Sequence, residues 1–322
     1  MKSRSKLLTC LMLLASSITF AADSWPSRPI TMVVPFPPGG LADLVARPVA
    51  ESMSRSLGQQ VVILNKAGAG GGVGMAYAAQ AKADGYTMVM ALSSLTVIPL
   101  ADAVRERKPM YNLTDLRPIA RFTADPTVLA INAKAPWKTL KDFVADVKNR
   151  PGVVNFGSSG NYGTMHVPME MFAQEAGLKM THVPYTGAGP SKVALLAGQI
   201  DAISTGPATV LQLVKTGKLR VLGHWGNGPL GSFPGLPSLK DSGFNAAYAQ
   251  WSGLFIPAGT PEPIAQLIRE AAKKAAADPK VNSVIQGAGT PLQYLDAPEF
   301  EKYVQADYNN MKKVVTKIGK LN

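Results

Sequence analysis

Val33-Val34-Pro35-Phe36-Pro37-Pro38-Gly39-Gly40-Leu41-Ala42-Asp43 is the stretch on which the fold turns. The run from Ile30 to Val34 is short and apolar, as a strand buried on both faces would be. Pro35, Pro37 and Pro38 end it, because proline has no N–H to give to a ladder. Gly39-Gly40 allows backbone angles that other residues avoid. Beyond the glycines, Leu41, Leu44, Val45, Val49, Met53 and Leu57 recur at helical spacing. A strand therefore stops and a Gly-Gly turn leads straight into a helix. The first N–H groups of such a helix have no partner inside it. Together with the helix dipole they suit a carboxylate or a phosphate. The same glycines are equally consistent with a tight turn and nothing more. Asp43 is a candidate general base here, but no nucleophile or metal ligand lies near it in sequence, so a helix-terminal role accounts for it as well.

The 322 residues are 46% hydrophobic and 17% charged, a globular composition. Lys2, Arg4 and Lys6 precede an apolar segment from Leu7 to Phe20, followed by Ala21 and Ala22. This pattern predicts a secretory signal peptide over residues 1–22, cut near Ala21 or Ala22, and hence export to the periplasm. The apolar segment is too short for a membrane span. Cys10 lies inside it, too early for a lipid-attachment cysteine. Removal of the segment leaves 322 − 22 = 300 residues, enough for two domains, and takes three cations from a formal charge of +12 to give +9. No cysteine would remain, which excludes a disulfide framework, a thiol nucleophile and a thiolate metal site. Lys and Arg are scattered and form no block, so nucleic acid is not expected as a partner. A preference for anionic small molecules and a merely basic surface are equally consistent with the charge.

Strands and helices alternate along the remainder. Strands are expected at Val61–Leu64, Tyr86–Leu92, Thr127–Ile131, Val153–Phe156, Thr181–Val183, Ile200–Ser204, Leu219–Leu222 and Gly253–Ile256. Leu140–Lys148 reads as a helix, opened by Thr139 with Asp142 three residues on in a near capping box. Pro190–Ala197 has proline at its first helical position. Pro261–Ala277 follows Thr260 as cap, Asp278-Pro279 opens another helix, and Ala297–Lys317 closes the chain with Phe300, Tyr303, Val304, Tyr308, Met311 and Val315 on one face. Such alternation predicts an α/β fold with mostly parallel sheets and helices on both faces. The junction grammar of residues 34–40 is echoed in Val183-Pro184-Tyr185-Thr186-Gly187-Ala188-Gly189-Pro190 and in Ile256-Pro257-Ala258-Gly259-Thr260-Pro261. Open sheets bind ligands beyond the carboxyl ends of their strands, so two facing sheets would set two groups of glycine turns around one cleft.

Other motifs fail as catalytic signatures. Gly68-Ala69-Gly70-Gly71-Gly72-Val73-Gly74 has the wrong spacing for a dinucleotide fingerprint. In Gly157-Ser158-Ser159-Gly160-Asn161-Tyr162-Gly163-Thr164, Asn161 stands where a nucleophile elbow needs glycine. Its hydroxyls and N–H groups suit an oxygen-rich ligand, and Thr164 also reads as the cap of a helix from Met165. His166, His182 and His224 have no metal-binding spacing. His166, beside the serine-rich loop, reads either as a ligand contact or as a packed histidine. No metal or other cofactor is expected.

Across nearly the whole chain these pieces resemble the periplasmic substrate-binding proteins of tripartite tricarboxylate transporters, the Bug-type (Bordetella uptake gene) receptors. The matching residues are Trp25-Pro26, Pro35–Gly40 with Asp43 and Arg47, Asn65 with Gly68-Ala69-Gly70-Gly71, Asp84-Gly85-Tyr86-Thr87, Gly160 with Gly163-Thr164 and His166, and Val183-Pro184-Tyr185 with Gly187 and Pro190. Gly198-Gln199-Ile200-Asp201, Gly217-Lys218-Leu219-Arg220 and the run from Trp251 to Pro261 complete the match. The resemblance implies two α/β domains with a ligand cleft between them, divided as residues 23–123 with 250–322 and residues 124–249. It implies binding without catalysis: capture of a small carboxylate by a monomer and delivery to the large and small membrane subunits of a permease. An enzyme of related architecture, a hydrolase or transferase, and a ligand-presenting signalling receptor are the alternatives.

The resemblance also implies site residues. Pro38, Gly39, Gly40, Leu41, Ala42 and Asp43 on one loop would approach the carboxylate together with Ser158, Ser159, Gly160, Asn161, Tyr162, Gly163 and Thr164 on the other. Ser93, Ser94, Thr205, Gly206 and Pro207 would line the same cleft, with Phe36, His166 and Tyr185 beside it. Leu41 and Ala42 stand where the family often has Ser or Thr, which makes the mouth more apolar. Thr186 stands where lysine is common, and His224-Trp225-Gly226-Asn227 replaces a small polar run. Pro48 should kink the first helix or delay its start. No Lys or Arg lies between Pro35 and Ala46 or between Gly157 and Pro168. Backbone N–H groups must then supply most of the anion recognition, and Phe36, Leu41 and Tyr162 could cover an apolar or aromatic body behind the carboxylate.

Overall fold

The computed structural model describes residues 25–320. The predicted signal peptide, with Cys10, lies outside the described residues. In chain order the strands are β1 (Ile30–Val34), β2 (Val61–Asn65), β3 (Thr87–Leu92), β4 (Leu116–Pro126), β5 (Val128–Asn132), β6 (Asn155–Ser158), β7 (Thr181–Pro184), β8 (Ala202–Thr205), β9 (Leu219–His224), β10 (Ala249–Pro257) and β11 (Leu295–Asp296). The helices are α1 (Leu41–Leu57), α2 (Gly72–Ala79), α3 (Ser94–Val104), α4 (Leu140–Asn149), α5 (His166–Ala176), α6 (Ala188–Leu196), α7 (Pro207–Lys215), α8 (Glu262–Ala277), α9 (Pro279–Gly287) and α10 (Ala297–Ile318).

One sheet has the order β11-β4-β10-β3-β1-β2 and the other β7-β6-β8-β5-β9. Without β11, both follow one plan. Three parallel strands form one side, an antiparallel strand comes next, and a last strand resumes the first direction. The α/β class and two-domain arrangement are as expected; the sheets, expected to be mostly parallel, are mixed. The cause is the way the chain changes sheets. β4 runs out of the first sheet at its carboxyl end and becomes β5 after Thr127 alone. The second sheet is thus entered at the end where its parallel strands finish, so β5 runs against β8 and β9. The return from β9 places β10 against β3 and β4 in the same way. The carboxyl ends of both sheets therefore face one another.

β4 was not expected from sequence. Its Arg117, Pro118 and Arg121 break any apolar alternation, yet Ala249 through Pro257 pair along its full length. Arg117 is neutralised by Glu262, and the Arg121 guanidinium lies 4.5 Å over the Tyr303 ring. β10 packs against α10 in the core of the first domain. Phe300 of α10 lies 5.6 Å from Trp251 and 5.1 Å from Phe255, ring centre to ring centre. Gly253 is required between them, because any Cβ there would overlap the Phe300 ring. Burying Phe300 contributes about 2–3 kcal/mol.

Several ends differ from expectation. α1 starts at Leu41 and runs on through Pro48, so the first helix is not delayed. Pro190 is the third residue of α6, not its first. Thr260 does not cap α8; its hydroxyl donates to the Pro257 carbonyl and Pro261 takes the capping position. The Thr139–Asp142 capping box forms in full.

Candidate functional site

Helix starts divide into two kinds. α4, α9 and α10 begin with side-chain caps, from Thr139, Asp278 and Asp296. α1, α2, α3, α5, α6 and α7 follow strands that end at the facing sheet edges, and none of them has a side-chain cap; α8, at the opposite edge, has none either. Four of these six start from glycine, at Gly40, Gly71, Gly187 and Gly206. Their dipoles point to the space between the sheets, and so do their first N–H groups except in α5, where His166 and Val167 N–H both donate to the Gly163 carbonyl.

The first turn is held by a charged clamp. Gly39, at φ +80°, donates its N–H to Asp43 Oδ2 at 3.0 Å. Arg47 grips the same carboxylate with two bonds, of 2.9 and 2.8 Å. Asn65 donates to Asp43 Oδ1 and to the Phe36 carbonyl, which ties β2 to the turn. Burial would raise the Asp43 pKa, but the bonds from Arg47, Gly39 and Asn65 outweigh it and hold the carboxyl below its ordinary range. Asp43 is thus engaged on both oxygens as a fastener. Pro38 and Gly39 are exposed at the mouth, while Gly40, Leu41 and Ala42 are buried. Phe36 is turned inward, with its ring against Gly71.

The second loop is held by neutral groups. Gly160 donates its N–H to Ser158 Oγ at 3.0 Å, and Ser158 Oγ lies 2.6 Å from His182 Nε2. Tyr162 N–H donates to His166 Nδ1 at 3.2 Å. His166 and His182 lie ring to ring at 4.1 Å, with Phe156 stacked 5.0 Å from His182. Burial pushes both histidines down, His182 to about 4 and His166 well below its ordinary value. Both are therefore neutral at neutral pH. Accepting from Tyr162 leaves the His166 proton on Nε2. The Ser158 hydroxyl also lies 3.2 Å from the Gly160 carbonyl, to which it donates, so it links His182 to the loop backbone. His166 is fully buried, as a packed support behind the loop. The Tyr162 hydroxyl donates to the Gly319 carbonyl, and Tyr185 N–H donates to the Ser158 carbonyl.

The two domains touch across this region. Gln250 of β10 donates to Thr164 Oγ1 at 2.8 Å, so Thr164 does not cap α5, which begins from Met165. A Cβ on Gly206 would sit 2.8 Å from Gln250 Oε1 and 3.7 Å from Leu41 Cδ2. This brings Leu41 to the start of α7, beside Thr205 and Pro207. A Cβ on Gly160 would sit 2.7 Å from the Gly70 nitrogen, and one on Gly187 would overlap Pro37. Only glycine allows these backbones to meet so closely. Ser94 donates to the Gly70 carbonyl at 2.7 Å and fixes that loop, while Ser93 Oγ is bonded to the Tyr248 hydroxyl at 2.8 Å. Ser159 Oγ and Gln250 Oε1 are buried without a partner among the described residues.

Sequence reasoning did not assign Gln250, Gly70 or Gly187 to the site. The last two stand in glycine runs that were visible as motifs. Gln250 had no local signal, because only the return of the chain as β10 brings it opposite Thr164.

The family model described as "Tripartite tricarboxylate transporter family receptor" matches residues 45–320. Protein BugT of Bordetella pertussis is 36% identical over 251 residues, 77% of this chain and 76% of its own. Two solved Rhodopseudomonas palustris structures superpose with TM-scores of 0.83. One, with bound adipate, is 25% identical and is matched over 91% of this chain and 98% of its own. The other, MatC with bound malate, is 27% identical over 90% of this chain and 99% of its own. With two α/β domains closing their uncapped helix starts on one cleft, this chain belongs to the Bug-type receptors of the tripartite tricarboxylate transporter family.

Proposed function

We propose that this receptor binds a small carboxylate between its domains in the periplasm and delivers it to the large and small membrane subunits of a tripartite permease. The observation that carries the reading is the set of six helix starts without side-chain caps at the facing sheet edges, combined with two glycine turns that hold no Lys or Arg. Backbone N–H groups would grip the anion in place of formal cations. Charge-assisted bonds of this kind contribute about 1.5–3 kcal/mol each. A few of them are enough for a Kd near ~1 μM, which needs about 8 kcal/mol. The carboxylates held by the two R. palustris proteins support the ligand class. Leu41, buried beside Gly206, favours a ligand with a modest apolar or aromatic body over a densely charged one such as citrate.

The proposed contacts are the two loops at residues 38–43 and 158–164, with Gln250 and residues 205–207. The proposed domains are residues 23–123 with 250–322 and residues 124–249, closing as a monomer about β4–β5 and the return to β10. The Ser158–His182 pair is a feature that an enzyme could share. Ser158 Oγ is fully buried and accepts from Gly160, and His182 is a poor base with its pKa pushed down to about 4. Both favour a structural role and a receptor that does no chemistry.

Calorimetry with adipate, malate, benzoate and citrate tests the ligand class, and small-angle scattering of the same samples tests closure. The expected result is micromolar binding of a mono- or dicarboxylate, unchanged ligand recovered afterwards, and a smaller radius of gyration. Conversion of the ligand, or an unchanged radius at saturation, overturns the reading.

A further inference from the structure

Ten arginines fall within the described residues, and eight of them donate a hydrogen bond to a carboxylate or a carbonyl. The two that donate none are Arg105 and Arg107, and both line one cavity of about 670 Å³. Lys108 completes a cationic wall at the end of α3. The opposite wall belongs to the other domain, where Asn161, Tyr185 and Thr186 face it. The Arg105 guanidinium lies 5.9 Å from the centre of the Tyr162 ring, so it already reaches across. The only acid in the lining is Asp102, which is buried and accepts from Met110 N–H at 3.1 Å. Nearby Glu106 is paired with Lys320. Three cations are thus left without a carboxylate partner among the described residues, next to the Gly70–Gly160 contact between the domains.

We propose that this cavity is a docking site for an acidic segment of a partner protein, and that it exists whole only when the domains are closed. Charge complementarity fixes the sign of the partner. Arg107 and Lys108 are exposed, and a small free anion gains little from exposed cations in water. A protein segment that covers them excludes that water and strengthens each contact. Because the walls come from both domains, occupancy favours the closed form, and the partner distinguishes closed from open receptor. Its binding does not depend on which carboxylate the cleft holds.

The test is fluorescence anisotropy with a labelled hexa-aspartate peptide and the purified protein. Arg105→Glu with Arg107→Glu should weaken binding at least ~30-fold, while carboxylate binding in the cleft stays within about twofold. Lys312→Glu with Lys313→Glu on α10 makes the same charge change elsewhere and should cost less than about threefold. Equal losses from the two pairs would mean attraction to net charge alone and would overturn the proposal. Gly187→Leu places bulk against Pro37 and should hold the domains apart. Gly187 has φ 172°, so leucine is tolerated by the backbone and circular dichroism should show a folded protein. Peptide binding should fall ~10-fold in that variant; unchanged binding overturns the dependence on closure. Calorimetry with adipate gives the final arm. A second adipate site that disappears with Arg105→Glu and Arg107→Glu would assign the cavity to a small anion instead.

Discussion

The two turns that meet at the cleft offer similar N–H groups but are held by opposite means. The Gly39–Gly40 turn depends on an ionised clamp of Asp43 and Arg47, with Arg47 half-exposed at 53% of its side chain. The Ser158–Thr164 loop depends on buried neutral groups, His182 and His166, each stacked on Phe156, and the hydroxyl of Ser158. The difference follows from position. The first turn lies at the mouth, where water screens and solvates an arginine. The second lies over Phe156 in the second domain, where an unpaired charge would cost several kcal/mol. The proposed anion site is therefore organised without aiming formal charge at the anion.

The largest expected effect is at the contact between the second loop and Gly70. Gly160 has φ +113°, and a Cβ there would press on the Gly70 nitrogen. Gly160→Val should reduce carboxylate affinity by ~100-fold or more, equivalent to about 2.7 kcal/mol, as read by calorimetry. Gly40→Val is the matched change in the first turn. Gly40 has φ −89° and its Cβ would lie 3.9 Å from its nearest neighbours, so the protein should keep its melting temperature and yet lose binding. Normal binding by a folded Gly40→Val protein would remove the first turn from the site.

Asp43→Asn breaks the clamp without touching the second loop. It should cost about 1–3 kcal/mol of stability in urea melts, since it loses charge-assisted bonds to Gly39 and Arg47. Thr164→Val leaves the buried Gln250 amide without its acceptor. Binding should weaken ~10-fold, equal to about 1.4 kcal/mol, and Thr164→Ser should restore it.

A last difference separates the turns by pH. A histidine held near 4 stays neutral in the folded protein while the unfolded chain takes up a proton below about 6.5. Its contribution to stability is present above that value and is lost as pH falls from about 6.5 to 4. The Asp43 carboxyl is depressed below its ordinary range, so its contribution is present above about pH 4 and lost only in stronger acid. Melting temperatures from pH 7 to 4 should fall less steeply in His182→Gln than in the parent, whereas Asp43→Asn should leave that slope unchanged. Identical slopes for parent and His182→Gln would show that the second loop is not held by a neutral histidine.

Much of the site was legible because its parts are local. A strand that ends in Pro-Pro-Gly-Gly before an amphipathic segment places an uncapped helix start whatever surrounds it. Arg47, one turn after Asp43, was visible as a neighbour but not as its partner, since Asp43 also reads as a helix-terminal residue. β4 was missed because its arginines are satisfied by Glu262 and Tyr303 from distant segments. The direction of β5 and β10 was missed because alternation reveals elements and not the edge at which a chain enters a sheet.

The sequence by itself determined the alternating elements, the glycine turns, the absence of cations within them and the family to which they belong, since each depends on residues close together along the chain. Tertiary structure alone decided which side chains face which. Gln250 meets Thr164 across 86 residues, Gly160 meets Gly70, and Arg105 and Arg107 are left without acids. Those outcomes depend on how two sheets, each completed by a strand arriving from the other, bring their carboxyl ends together.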